Sequence, residues 1–89
     1  MAGKYLVGVI KGLALGDEVA ILFPATVPHH LIERLLFENG PVSGGFYSAA
    51  DELNAAQCWG KSVSCKVASR PTDIRLIEMT LDVNGIFGG

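Results

Sequence analysis

The chain has no long hydrophobic run. Its longest apolar stretches, such as residues 19–23, fall far short of the roughly 20 residues that a membrane-spanning helix needs. Near the first residue, Gly8, Lys11 and Gly12 interrupt the apolar positions, so a secretory leader is not expected either. We therefore expect a cytoplasmic protein that has no membrane partner.

Positive charge is also scarce. Seven Lys and Arg residues stand against nine Asp and Glu residues, which gives a net charge of −2 and a pI near 5.5. A protein that coats nucleic acid or anionic lipid through bulk charge is therefore not expected. Apolar residues make up 49% of the chain and charged residues only 18%, a balance typical of a folded protein.

Cysteine is limited to Cys58 and Cys65. On one extended strand these two residues would lie roughly 23 Å apart, too far for a disulfide bond. We expect two reduced thiols, with Cys65 buried. The adjacent His29 and His30 do not complete a zinc site, because they diverge by about 100° on a helix and the cysteines lack the spacing of a zinc knuckle. Neither a metal nor a cofactor is predicted.

A strand-like run followed by a helix start occurs twice, at a spacing of 43 residues. Thr26 aligns with Ser69 and Pro28 aligns with Pro71, and a hydroxyl residue followed by proline is typical of a helix start. Whether this repeat reflects a duplication stays open. Between and around these starts we predict four strands, at residues 5–10, 18–23, 42–49 and 58–67, and two helices, at residues 29–37 and 72–81.

The residue pattern also predicts faces and positions. The run at residues 18–23 is nearly continuous and predicts a central strand, and Gly44-Gly45 predicts a bulge or the close approach of another backbone. In the strand at residues 58–67, one face is predicted to be buried, with Trp59, Val63, Cys65 and Val67, and the other exposed, with Ser62, Ser64 and Lys66. The first helix is predicted to turn a core-facing stripe inward, with Leu31, Ile32, Leu35 and Leu36.

Together these elements predict an α+β fold in the order ββαββα. One four-stranded antiparallel sheet with both helices packed on one face would bury all of the predicted apolar stripes. Because 89 residues cannot sustain two cores, we expect a single domain over residues 1–82, followed by a tail at residues 83–89.

Several segments of the chain resemble short uncharacterised proteins of bacteriophages and prophages. The likeness covers about half of the chain and lies in Ile21-Leu22-Phe23-Pro24, Pro41-Val42-Ser43-Gly44-Gly45-Phe46, Trp59-Gly60-Lys61-Ser62-Val63-Ser64 and Ser69-Arg70-Pro71-Thr72-Asp73. The resemblance implies a phage-associated accessory protein. It implies no activity and no catalytic residue.

No motif predicts catalysis. Neither cysteine has an orienting carboxylate or an oxyanion loop at a recognisable spacing, and Ser43-Gly44-Gly45 precedes a strand, whereas phosphate loops precede a helix. The leading hypothesis is therefore a small non-enzymatic interaction or accessory protein that acts through its sheet surface or a strand edge. Its predicted partner-binding residues are Phe46, Tyr47, Ile86 and Phe87, and pairing into a homodimer is the simplest way to cover exposed edges.

Two other classes of protein stay open. A nucleic-acid-binding accessory protein would use the basic residues Lys61, Lys66, Arg70 and Arg75, with Tyr47 or Trp59 as a stacking surface. The acidic total disfavours it. A sulfur-carrier or ubiquitin-like protein would use the terminal Gly88-Gly89, but that class needs a strand directly before the glycines, where this sequence predicts a helix.

Overall fold

A four-stranded antiparallel sheet forms the centre of the fold. The computed structural model describes residues 1–12, 17–49 and 56–83. The strands of the sheet, in the spatial order β2-β1-β3-β4, are β1 (Ala2–Gly8), β2 (Val19–Phe23), β3 (Ser43–Ala49) and β4 (Ala56–Trp59). The hairpin strands β5 (Lys61–Ser62) and β6 (Val67–Ala68) and the helices α1 (His29–Leu36) and α2 (Asp73–Val83) surround it. The predicted α+β class, with four antiparallel strands and two helices on the sheet, is confirmed.

Strand β1 is covered on both of its faces. Tyr5, Leu6 and Val7 are each 0% exposed, and consecutive side chains of a strand point to opposite faces. Full burial of three in a row therefore requires a layer above the sheet and another below it. Strand β2 also has side chains packed on both faces, although they are less completely buried. We predicted β2 to be central because of its continuous apolar run. That prediction is wrong, because β2 is an edge strand whose two faces are both covered.

The two helices lie on opposite faces of the sheet. Ile77 and Leu81 of α2 pack with Tyr5 and Val7. Leu6 points the other way and packs with Phe23 and Phe37, together with Ile32 of α1 and with Cys65 and Val67 of the hairpin segment. The prediction of both helices on one face is therefore wrong. A single helical layer would have left Leu6 and Phe23 in water.

Helix α1 turns a different side toward the sheet from the one predicted. His29 is only 6% exposed, whereas Leu31 and Leu35 are 44% and 63% exposed. The inward stripe contains His29 and Ile32, three residues apart. Ile32 belongs to the predicted stripe as well, so the helix is rotated by about 60° from the predicted orientation. The N-cap is Pro28, without a side-chain hydrogen bond, and not the predicted Thr26.

The predicted strand at residues 58–67 is a strand followed by a hairpin. Gly60 has φ 78° and separates β4 from β5, and the chain reverses between β5 and β6. As a result Val63 is 76% exposed and Ser62 is buried, the opposite of the prediction. The close backbone approach predicted at Gly44-Gly45 is confirmed, because a Cβ on Gly45 would collide with the main chain of Trp59 and Gly60.

A buried carboxylate attaches the start of α2 to β1. Asp73 is 0% exposed. Its Oδ2 accepts a hydrogen bond from the Tyr5 hydroxyl (2.7 Å) and another from the backbone N–H of Arg70 (2.9 Å). Its Oδ1 accepts from Nε of Arg70 (3.0 Å), and the Arg70 guanidinium also pairs with Glu18 (3.0 Å). Each carboxylate oxygen therefore has donors that compensate for its removal from water.

This arrangement sets the charge state of Asp73. Burial alone would raise the pKa of Asp73, but the hydrogen bonds from Tyr5 and from the Arg70 backbone outweigh burial, so the pKa lies below its ordinary value of 3.8. A carboxyl group whose pKa is lower in the folded state stabilises the fold above its unfolded-state pKa. That contribution is lost as the pH falls through the folded-state pKa.

We expect Asp73→Asn to lower the free energy of unfolding at neutral pH by about 3 kcal/mol, because the substitution leaves the buried partners of the carboxylate without its charge. Urea titration at neutral pH and near pH 3 measures this, and the variant should lose less stability on acidification than the parent. The matched control is Asp17→Asn, an exposed position expected to change stability by less than about 0.5 kcal/mol. A loss at Asp73 no larger than at Asp17 would contradict the assignment.

Candidate interaction surface

The residues predicted to bind a partner do not lie together in the structure. Tyr47 is only 5% exposed and belongs to the core between the sheet and α2. The expectation that a partner must cover Tyr47 is therefore wrong. Phe46, the next residue toward the start of β3, lies half-buried on the opposite face. Ile86 and Phe87 lie outside the described residues.

Four rings form a continuous row from the core to the surface. Phe23 and His29 meet edge to face with centroids 5.4 Å apart, and His29 meets Phe46 in the same way at 5.9 Å. Phe46 then stacks on Trp59 at 6.5 Å and an interplanar angle of 22°. These are favourable geometries for aromatic pairs. Phe23 and His29 are buried and Trp59 is 48% exposed, so the row presents one indole to solvent.

His29 is the centre of this aromatic row. Its Nε2 lies 3.0 Å from the carbonyl oxygen of Gly45, to which it donates when that nitrogen carries the proton. Burial lowers the pKa of His29, and the charge of Lys4 adds to this effect, whereas the hydrogen bond to Gly45 opposes it. The predicted core-facing stripe of the helix did not include His29. His29 lies three residues before Ile32 and so shares a face of the helix with it, which is the signal for its burial. The four leucine and isoleucine residues of the helix define a different stripe and obscured this signal.

Side chains of α2 contact the outer edges of the sheet. The hydroxyl of Thr80 donates to the carbonyl of Ala20 on β2 (2.8 Å), and Glu78 accepts from the backbone N–H of Ala56 on β4 (3.3 Å). Residues 78 and 80 lie about 200° apart around a helix, so they reach in opposite directions. A strand from a partner would have to displace these contacts. Each edge of the sheet therefore carries a hydrogen bond with α2.

The four predicted basic residues do not share one surface. Arg70 is engaged by Glu18 and Asp73. Arg75 is exposed on α2, on the face of the sheet opposite the hairpin. Lys61 and Lys66 are exposed on the hairpin segment that packs beside α1. Only these last two lie on the same side of the sheet as Trp59.

The two thiols lie on opposite faces of the sheet and are not paired. Cys58 packs on the α2 side and donates to the carbonyl of Arg70 (3.4 Å), and burial raises the pKa of its thiol. Cys65, predicted to be buried, is only partly buried, on the other face. Within residues 1–12, 17–49 and 56–83, no group of three or more His, Cys, Asp or Glu side chains is arranged to hold a metal ion. No helix in that part of the chain is long and apolar enough to cross a membrane.

Comparison with protein-family models, with curated proteins and with solved structures finds no match for this chain.

The aromatic row predicts a pH dependence of stability. Because the pKa of His29 is lower in the folded state than in the unfolded chain, the unfolded chain binds the proton more readily, and stability is lost as the pH falls below about 6.5. We expect His29→Gln, whose amide can still donate to Gly45, to remove this loss between about pH 7.5 and about pH 5.

Urea unfolding followed by Trp59 fluorescence measures the dependence. His30→Gln is the matched control, since His30 is the exposed neighbour on the same helix. Equal profiles for the parent and His29→Gln would show that His29 is not the titrating group.

Proposed function

We propose that this protein is a small non-enzymatic interaction protein that binds a partner protein through Trp59 and its surroundings. The observation that carries this proposal is an indole that is half-exposed and yet held by stacking on Phe46. We call the region the Trp59 surface and define it as Trp59, Phe46 and the hairpin residues 61–68.

The held position of Trp59 matters for binding. Tryptophan is enriched among the few interface residues that carry most of the binding free energy. A side chain that is already ordered in the free protein loses less entropy when a partner covers it. Phe46 rests on His29, and His29 on Gly45 and Phe23, so the ordering extends into the core.

The polar cluster on the other face has a structural explanation. Tyr5, Asp73 and Arg70 are bonded to one another and attach α2 to the sheet, and a raised thiol pKa keeps Cys58 protonated near neutral pH. This supports the non-enzymatic proposal. We extend the proposal to a cytoplasmic, phage-associated accessory protein, as the sequence resemblance implies, and we keep the proposal that the chain pairs into a homodimer.

A nucleic-acid-binding protein is the second candidate. An exposed indole two residues from Lys61 offers a stacking platform beside a cation, which is how single strands are held without sequence preference. Against it, Arg70 is engaged in ion pairs and Arg75 lies on the other face. The carrier hypothesis depends on Gly88-Gly89, which lie outside the described residues, and α2 runs to Val83 where that class requires a strand.

We expect Trp59→Ala to reduce partner binding at least about tenfold, because the main apolar contact is removed. The free energy of unfolding should fall by no more than about 2 kcal/mol, since the indole is half in water. The measurement is affinity capture from host lysate, with and without nuclease, followed by quantification of the proteins that remain.

The matched control is Met79→Ala, which truncates a side chain that is 61% exposed on α2, away from the Trp59 surface. A protein retained after nuclease treatment by the parent and by Met79→Ala, but not by Trp59→Ala, supports the proposal. Material that disappears with nuclease supports the nucleic-acid candidate instead, and a partner retained equally by all three forms contradicts a role for Trp59.

A further inference from the structure

We infer that the Trp59 surface takes an acidic partner, namely a protein segment that combines carboxylate side chains with an apolar one. This inference rests on the proposed function and specifies the chemistry of its partner. Lys61 and Lys66 would receive the carboxylates, while Trp59 and Val63 would contact the apolar side chain.

The charge distribution is the first argument. Residues 56–72 contain three basic residues and no Asp or Glu, although the whole chain has a net charge of −2. Of the three, Arg70 is paired with Glu18 and Asp73. Within the part of the chain that the structure describes, Lys61 and Lys66 are exposed and have no carboxylate within ion-pair distance. An interface is favoured when it brings opposite charge to such a surface.

Apolar surface lies between the two lysines. Val63 is 76% exposed, although valine is usually buried in the core. Beside it is an open groove of about 330 Å³, lined by Lys61, Ser62, Val63, Lys66, Val67 and Ala68. A groove with an apolar wall, one lysine on β5 and another at the end of the turn matches a segment that has both kinds of side chain.

The backbone at Lys66 is the second, independent argument. Its φ is 60°, and among the described residues it is the only non-glycine with a positive φ. Glycine or asparagine takes this conformation more readily than lysine does. Lys66 ends the turn of the hairpin, and the turn itself accounts for the positive φ. What the turn does not explain is the use of lysine where glycine or asparagine fits more readily, and a contact made by the ammonium group would explain that choice.

A protein segment fits this surface better than a nucleic acid does. A groove that follows a single nucleic-acid strand is positively charged along its length, whereas only two lysines line this one. Val63 and the groove wall offer contacts to an apolar side chain that a phosphate backbone does not supply. Binding of a nucleic acid is therefore an outcome that the test must be able to show.

The test is fluorescence anisotropy of the full chain with three labelled probes. These are a peptide of about twelve alternating glutamate and leucine residues, the same peptide with glutamine in place of glutamate, and an oligothymidylate. We expect the glutamate peptide to bind at least about fivefold more tightly than the glutamine peptide, and this preference to weaken with added salt. The oligothymidylate should bind more weakly than the glutamate peptide.

Lys66→Asn provides the decisive variant. It removes the charge but suits the positive φ, so the melting temperature should stay the same or rise while affinity for the glutamate peptide falls about threefold to tenfold. A purely structural role for Lys66 would not separate stability from binding in this way. Arg75→Gln is the matched control, because it removes an exposed charge from the other face.

Three outcomes would overturn the inference: equal binding of the two peptides, tighter binding of the oligothymidylate, or no effect of Lys66→Asn on the glutamate peptide. If Trp59→Ala abolishes capture of the natural partner while Lys66→Asn does not alter it, the proposed function stands and the acidic chemistry fails. If neither variant alters capture, the proposed function fails as well.

Discussion

The contact between Asp73 and Tyr5 holds the architecture together. Tyr5 lies in the middle of the central strand and Asp73 is the first residue of α2, so one hydrogen bond of 2.7 Å joins elements that are 68 residues apart in the chain. The carboxylate also accepts from the Arg70 backbone and so fixes the turn that leads into the helix. With the start of α2 fixed at the sheet, Thr80 and Glu78 can reach the two edges farther along the helix.

This attachment determines which parts of the sheet stay accessible. The α2 face is covered by the helix, and the opposite face is covered by α1 and the hairpin segment, which pack on Leu6. Among the exposed large apolar side chains, Trp59 differs from the rest because its ring stacks on a second, half-buried ring. The position of the candidate surface thus follows from the way in which α1, α2 and the hairpin segment cover the sheet.

The sequence predicted where the helices and strands lie better than it predicted which of them pack together. The β1 to β3 strands, α2 and the α+β class follow from apolar periodicity and helix-start residues, which are local properties. Periodicity did not reveal that Gly60 interrupts the strand at residues 58–67, because Val63, Cys65 and Val67 alternate equally well in a strand and in a hairpin. Periodicity also failed to predict the burial of His29. Histidine is usually counted as a polar residue, and its burial here depends on the hydrogen bond to the carbonyl oxygen of Gly45. Both errors fall at the candidate site.

That coincidence has a physical reason. Local preferences and tertiary structure agree over most of a foldable sequence, and disagreement is tolerated where something other than folding selects the residue. Lys66 in a left-handed conformation and Val63 in water are two such disagreements, and both lie in one turn of the hairpin. The core does not require either of them, because the hairpin segment is attached to the sheet through Cys65 and Val67. The side chains at these two positions are therefore the ones from which we infer the chemistry of the proposed partner.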